Sequence, residues 1–232
     1  HQLDNRLSEL TDKNLTYLHI WGKYLQGTSD EKEIRDYIEK MQEDAGFLDF
    51  YFLSADGNYK MITGETGYLG LQENIEEEIW KGNDMIMNTA VPGKSQMLFF
   101  ASPEAHGIYQ GFEYDAIAIA YENSDIVNVL DISAFNGNAK SYVVHPDGRV
   151  VVDHSLETWG NAYNFLGVLR EHSDMSEKEI LELSEKFKKG LTNAMMVNLD
   201  GRNYYLVYEK SDIQDWMFLG LVQADIVNAS MN

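Results

Sequence analysis

Cysteine is absent from the 232 residues and proline occurs only three times. The first absence removes disulfides, thiolate metal ligands and cysteine nucleophiles together. Positive charge is scarce: 18 Lys and Arg stand against 38 Asp and Glu, a formal net charge of −20. A field of that sign repels phosphate backbones and anionic headgroups, which argues against nucleic acid and against direct membrane-surface contact. No run of about 20 apolar residues is present, so the sequence as it stands holds no membrane-spanning helix. It starts at His1 rather than Met and stops inside an apolar pattern at Asn232, which reads as an excised part of a longer protein. Catalytic signatures are missing too: there is no GxSxG elbow, Walker loop, HExxH pair or dinucleotide fingerprint. No cofactor is called for, and this part of the protein is expected to perform no chemistry.

What is present is a folded composition, with 44% hydrophobic and 24% charged residues. Leu3, Leu7, Leu10, Asn14, Tyr17, Trp21 and Tyr24 recur in alternating steps of three and four. That spacing predicts a long helix with a coiled-coil-like stripe, for self-association of the intact protein or for packing against its own domain, two uses that can coexist on different faces. Asp30 with Glu33 opens a second helix, and Gly46 offers its left-handed stop. Strands follow over 47–53 and 59–63, joined by Asp56-Gly57, then over 96–101 and 116–121, with a short helix at 75–80. The order then recurs. Residues 142–144 and 149–153 flank Asp147-Gly148, 91 residues after the first such turn. A helix capped by Ser176 and Glu179 and stopped at Gly190 precedes strands at 194–199, 204–208 and 217–222. A spacing near 90 residues fits a duplicated small α+β domain.

Candidate chemistry is sparse. The glycines of 64–70 lack the lysine and hydroxyl of a phosphate loop, and read as a turn region or a mobile loop beside a pocket. His145, Asp153 and His154 flank one hairpin, but adjacent strand residues point to opposite faces, so at most two of them share one. Glu76, Glu77 and Glu78 read as a solvated helix face. Asp56 and Asp147 read as turn residues bonding nearby amides.

The long first helix, then Phe50-Tyr51-Phe52-Leu53-Ser54-Ala55-Asp56-Gly57, then Ser141-Tyr142-Val143-Val144-His145-Pro146-Asp147-Gly148, resembles the double-Cache family of tandem PAS-like extracellular sensors. The closing segment 216–227 is similar to that family's last strand and exit helix. The resemblance implies an α+β fold with two PAS-like antiparallel-sheet domains in tandem. It divides the chain into a stalk helix and second helix (1–45), a membrane-distal domain (46–135), a membrane-proximal domain (136–222) and an exit helix (223–232). It implies the extracytoplasmic part of a bacterial plasma-membrane receptor, flanked by transmembrane helices, with a histidine kinase output or else a cyclase or chemoreceptor output. A secreted binding protein and an enzyme with an unseen cluster are the other readings. One subgroup of the family holds amino acids with an arginine-containing set, yet no arginine lies between Gly46 and Phe135. Residues 46–135 carry 14 acidic side chains against three lysines. The expected small-molecule ligand is therefore neutral or cationic, held by Tyr68, Trp80, Tyr109, Tyr114 and Asp115.

Overall fold

The computed structural model describes residues 2–69, 75–130, 139–155, 158–160 and 162–230. Its first elements are α1 (Gln2–Gln26) and α2 (Glu31–Ala45). The Asp30 carboxylate accepts the Glu33 amide at 2.9 Å, satisfying one of the orphan donors of α2's first turn. Gly46 ends the helix at φ 76°, where a side chain would be strained. Two compact units follow from the packing: Leu7–Asp125, and a second joining the first turn of α1 to the chain from Ile126 onward. The expected break at 134–140 falls mostly on 131–138, which lie outside the described residues.

The first unit contains β1 (Asp49–Leu53), β2 (Asn58–Met61), β3 (Thr66–Tyr68), α3 (Ile75–Trp80), β4 (Met85–Ala90) and β5 (Gln96–Ser102). A small hairpin of β6 (Gly107–Tyr109) and β7 (Phe112–Tyr114) then leads to β8 (Ala116–Glu122) and α4 (Asn123–Leu130). Its six-stranded antiparallel sheet has the order β3-β2-β1-β8-β5-β4. Alternation along β1 sends Tyr51 and Leu53 into a core with Phe99, Met87 and the alanines of β8. Phe52 points to the other face, where Tyr109 stacks on it at 4.4 Å.

The second unit contains β9 (Ala139–Val144), β10 (Val150–His154), α5 (Phe165–His172), α6 (Glu177–Lys188), β11 (Asn193–Leu199), β12 (Arg202–Lys210), β13 (Met217–Gln223) and α7 (Ala224–Ser230). Its sheet order is β10-β9-β13-β12-β11. Without β3, the first sheet runs β2-β1-β8-β5-β4, which is the same circuit. The two sheets are separate. Phe165, Leu169, Ile180, Leu183 and Phe187 from α5 and α6 pack on Tyr142, Leu206 and Leu219 of the second. Ser176 and Glu179 form the reciprocal capping box expected of them.

The duplication extends to individual hydrogen bonds at the Asp-Gly turns. Ser54 donates its amide to Asn58 at 2.8 Å, and His145 to Arg149 at 2.8 Å. The carbonyl of Gly57 accepts from Leu69 at 2.9 Å and that of Gly148 from Phe165 at 2.8 Å. Asp56 and Asp147 accept the amides of Asn58 and Arg149 at 2.9 and 3.1 Å, the turn role their positions predicted.

The stripe on α1 packs within its own unit, one of the two uses its spacing allows. Leu7, Leu18, Trp21 and Leu25 are buried in the first unit. Asn14, the polar position of the stripe, is fully buried. Its amide donates to the Leu10 carbonyl at 2.9 Å and its oxygen accepts from the Tyr121 hydroxyl at 2.8 Å. A buried amide with both ends bonded holds the helix to its own sheet. No helix among the described residues is long and apolar enough to cross a membrane.

Candidate functional site

A cavity of about 770 Å³ opens at the turn end of the first sheet, between the Asp56-Gly57 turn, β3, α3 and β7. Its position follows from Asp115. The Asp115 amide donates to the Leu53 carbonyl at 2.9 Å, and its Oδ2 accepts the Ala55 amide at 2.8 Å. One carboxylate oxygen thus pins the β1–β2 turn while the residue faces the cavity. Asp56 is held in the same turn by the Ser54 hydroxyl and by Asn58. Those bonds, the Ser54 contact first, keep its carboxyl below the ordinary carboxylate range.

Among the described residues, Glu76 and Glu113 complete a lining of four carboxylates, with no Lys, Arg or His. Its walls are Tyr59, Tyr68 and Phe112. Tyr59 reaches over β3 because its register partner is Gly67. A Cβ on Gly67 would stand 2.5 Å from the tyrosine Cζ. Negative charge beside aromatic faces suits a cation or a neutral donor-rich molecule and repels anions.

Of the five residues expected at the site, Tyr68 and Asp115 come together here. Trp80, at the end of α3, is 76% exposed and outside the lining. Tyr109 and Tyr114 are buried against Phe52, at 4.4 and 4.8 Å between rings, and are outside the lining of this cavity. The Tyr109 hydroxyl is spent on the Ile62 carbonyl at 2.8 Å. Their sequence positions alternate with Asp115's surroundings in a tight hairpin, and the hairpin turns their rings inward. Asp56, Glu76 and Glu113 were not expected here. Nothing in linear spacing brings α3 and β7 back to the first turn.

In the second unit, Asp153 lies across from Tyr142 and His154 across from Ser141, so the two face opposite sides of the sheet. The His145 ring meets Trp216 edge-on at 5.9 Å. Among the described residues no three His, Asp or Glu are placed to hold a metal ion.

No family model matches the sequence, and no curated protein is found to be similar to it. Solved structures do match. The extracellular domain of the predicted histidine kinase mmHK1S-Z3 superposes with a TM-score of 0.64 at 13% identity, over 100% of this chain and 92% of that one. That of the predicted histidine kinase rpHK1S-Z16 gives 0.65 at 10% identity, over 99% and 93%. The ligand-binding domain of the Pseudomonas aeruginosa amino acid chemoreceptor PctB, in complex with L-Arg, gives 0.57 at 15% identity, over 99% and 92%. The chain has the Cache-type α+β fold of the extracellular sensor domains of histidine kinases and chemoreceptors.

Proposed function

We propose that this chain is the extracellular sensing domain of a bacterial signal-transduction receptor, and that it binds a small molecule without transforming it. The observation that carries the reading is the duplicated sheet circuit, matched along the whole chain by sensor domains. Leu7–Asp125 is the membrane-distal unit in this reading, and its acidic, aromatic cavity is the ligand site. The ligand is an amine or a neutral molecule rich in hydrogen-bond donors, with Asp115 as its charged contact. The PctB domain, solved with L-Arg bound, supports a small-molecule role for this fold. The second unit and α7 pass the change across the membrane to a cytoplasmic output domain of histidine kinase type.

The test is a thermal-shift and calorimetric screen of the purified chain against amines, nucleobases, sugars and dicarboxylates. An amine or neutral ligand is expected to bind, and Asp115→Asn to weaken it about tenfold, the loss of one charge-assisted contact. A dicarboxylate bound in this cavity, or an amine indifferent to Asp115→Asn, would overturn the assignment. Fusing the chain to a reporter histidine kinase tests the output: the same ligand should change kinase activity, and a response seen only with a cyclase or chemoreceptor module would replace the kinase reading.

A further inference from the structure

The core of the second unit does not account for Leu181 and Leu191. Ile180, Leu183 and Phe187 of α6 turn inward and are buried, whereas Leu181 is 54% and Leu191 45% exposed. Both line a groove of about 740 Å³ along the outer face of α6, with Lys178, Glu182, Glu185 and Lys186. Lys178, Leu181, Glu182 and Glu185 stand at helical spacings of three and four, so they form one continuous seam. A single exposed leucine needs no explanation. Two in one concave strip mark a surface that gains by being covered.

The charge of this face differs from that of the rest of the molecule. Residues 177–191 hold four Lys and four Glu, a net charge of zero in a chain of −20. Two copies of so acidic a chain repel one another, and a face of balanced charge is where they can touch. Among the described residues Lys178, Glu182 and Lys186 make no ion pair. Glu177 pairs with Arg170 at 3.0 Å and Glu185 with Lys188 at 3.3 Å, both in exposed positions where a pair contributes little and exchanges readily. The order of signs fits a second copy of the same helix. In an antiparallel pair about a two-fold axis, each residue faces the one placed symmetrically beyond the axis. An axis at the Leu181–Glu182 peptide sets Lys178 against Glu185 and Glu177 against Lys186, each pair occurring twice, with the two Leu181 side chains between them. An axis two residues later sets Lys178 against Lys189 and Glu182 against Glu185, like against like. Sign order of this kind fixes the register of paired helices.

We propose that the outer face of α6 is a homodimer interface, occupied by the α6 of a second copy in antiparallel register about Leu181. The seam joins one pair of leucines, the aliphatic stems of Lys178 and Lys186 beside them, and ion pairs at both ends. An interface this small is weak between free chains. It suffices for copies tethered in one membrane, where the effective concentration reaches about 1 mM; that use rests on the function proposed above. The pairing itself is a property of the purified chain, and stands or falls apart from that function and from any ligand.

Equilibrium sedimentation of the purified chain at concentrations up to about 1 mM tests the interface. A monomer–dimer equilibrium with a Kd of about 1 mM or tighter is expected. Lys178→Glu and Glu185→Lys should each weaken it about tenfold, and the double variant, in which the two signs are exchanged, should restore it. Because the chain has no cysteine, single cysteines report the register directly. Leu181→Cys, next to the axis, should give a disulfide-linked dimer on mild oxidation, and Leu191→Cys, far from the axis, should not. All four positions are exposed, so the melting temperature should stay within about 2 °C of the parent chain in every variant. A chain still monomeric at about 1 mM would overturn the interface and leave the groove to a different partner. Association indifferent to both charge reversals, a double variant no tighter than the single ones, or a 191–191 product in place of 181–181 would overturn it as well.

Discussion

At Gly67 the side chain of Tyr59 crosses β3 where any Cβ would overlap it. Gly67→Ala must therefore push the tyrosine off its rotamer or shift the edge strand, at a cost of about 1–3 kcal/mol. Urea unfolding should record this as a lower midpoint with an unchanged slope. In a Tyr59→Leu background most of the cost should vanish, since the obstructing ring is gone. A second residue sets a pH dependence. Burial is the largest influence on His154, Lys140 acts in the same direction and Asp153 against it; the result is a pKa below the ordinary 6.5. The unfolded chain then binds a proton that the folded chain refuses, so stability falls as pH drops from about 7 to about 5. Asp56, Glu177 and Glu179 have lowered carboxyl pKa values and lose their contribution only in more acidic solution. His154→Gln should flatten the slope in the near-neutral window alone. An identical slope in that variant would assign the effect elsewhere.

At the scale of elements, α1 shows how one pattern serves two different partners. The three-and-four spacing does mark a buried stripe, but one that an intramolecular sheet covers, with Asn14 bonded to Tyr121. Heptad spacing is the same for either partner, and only the long-range contact distinguishes them. Single cysteines at positions 7 and 14 should give no cross-link between chains in the intact receptor, because both are buried. If α1 does pair with a second copy, positions 13 and 20 on the exposed face should react instead. A 7–7 product would mean that the helix leaves its own core in the membrane.

The hairpins around Asp56-Gly57 and Asp147-Gly148 were legible because turn chemistry is local and both copies carry it. β4 was not, since five of its six residues are buried and the strand shows no alternation to separate it from any other apolar run. Asp115 and Tyr68 were legible as a charge and a ring near one strand end. Glu76 was not, because a glutamate on a short acidic helix looks solvated until the fold brings that helix to a turn 20 residues earlier.

At the scale of the whole molecule, the duplicated circuit supplies two cores, each with its own aromatic cluster. Such a chain need not unfold in one step. The first turn of α1 belongs to the second unit through a specific contact. Buried Asp4 accepts from the Ser211 hydroxyl at 2.7 Å and from the Asp212 amide at 3.2 Å, while Ser211 in turn accepts the Ile213 amide at 3.0 Å. Asp4→Ala leaves a buried hydroxyl and an amide without their acceptor, a loss of about 1–3 kcal/mol. That loss should appear in the second unit alone. Hydrogen exchange should quicken at Asp212, Ile213 and along β13, with β1 and β8 unchanged. Arg6, whose guanidinium donates to the Leu130 carbonyl at 3.1 Å, provides an independent check on the same turn of helix. Arg6→Ala should add its own smaller effect in the same unit, because its contact is half-exposed and water replaces it at little cost. Faster exchange spread evenly over both sheets in Asp4→Ala would mean that the two cores unfold as one cooperative body.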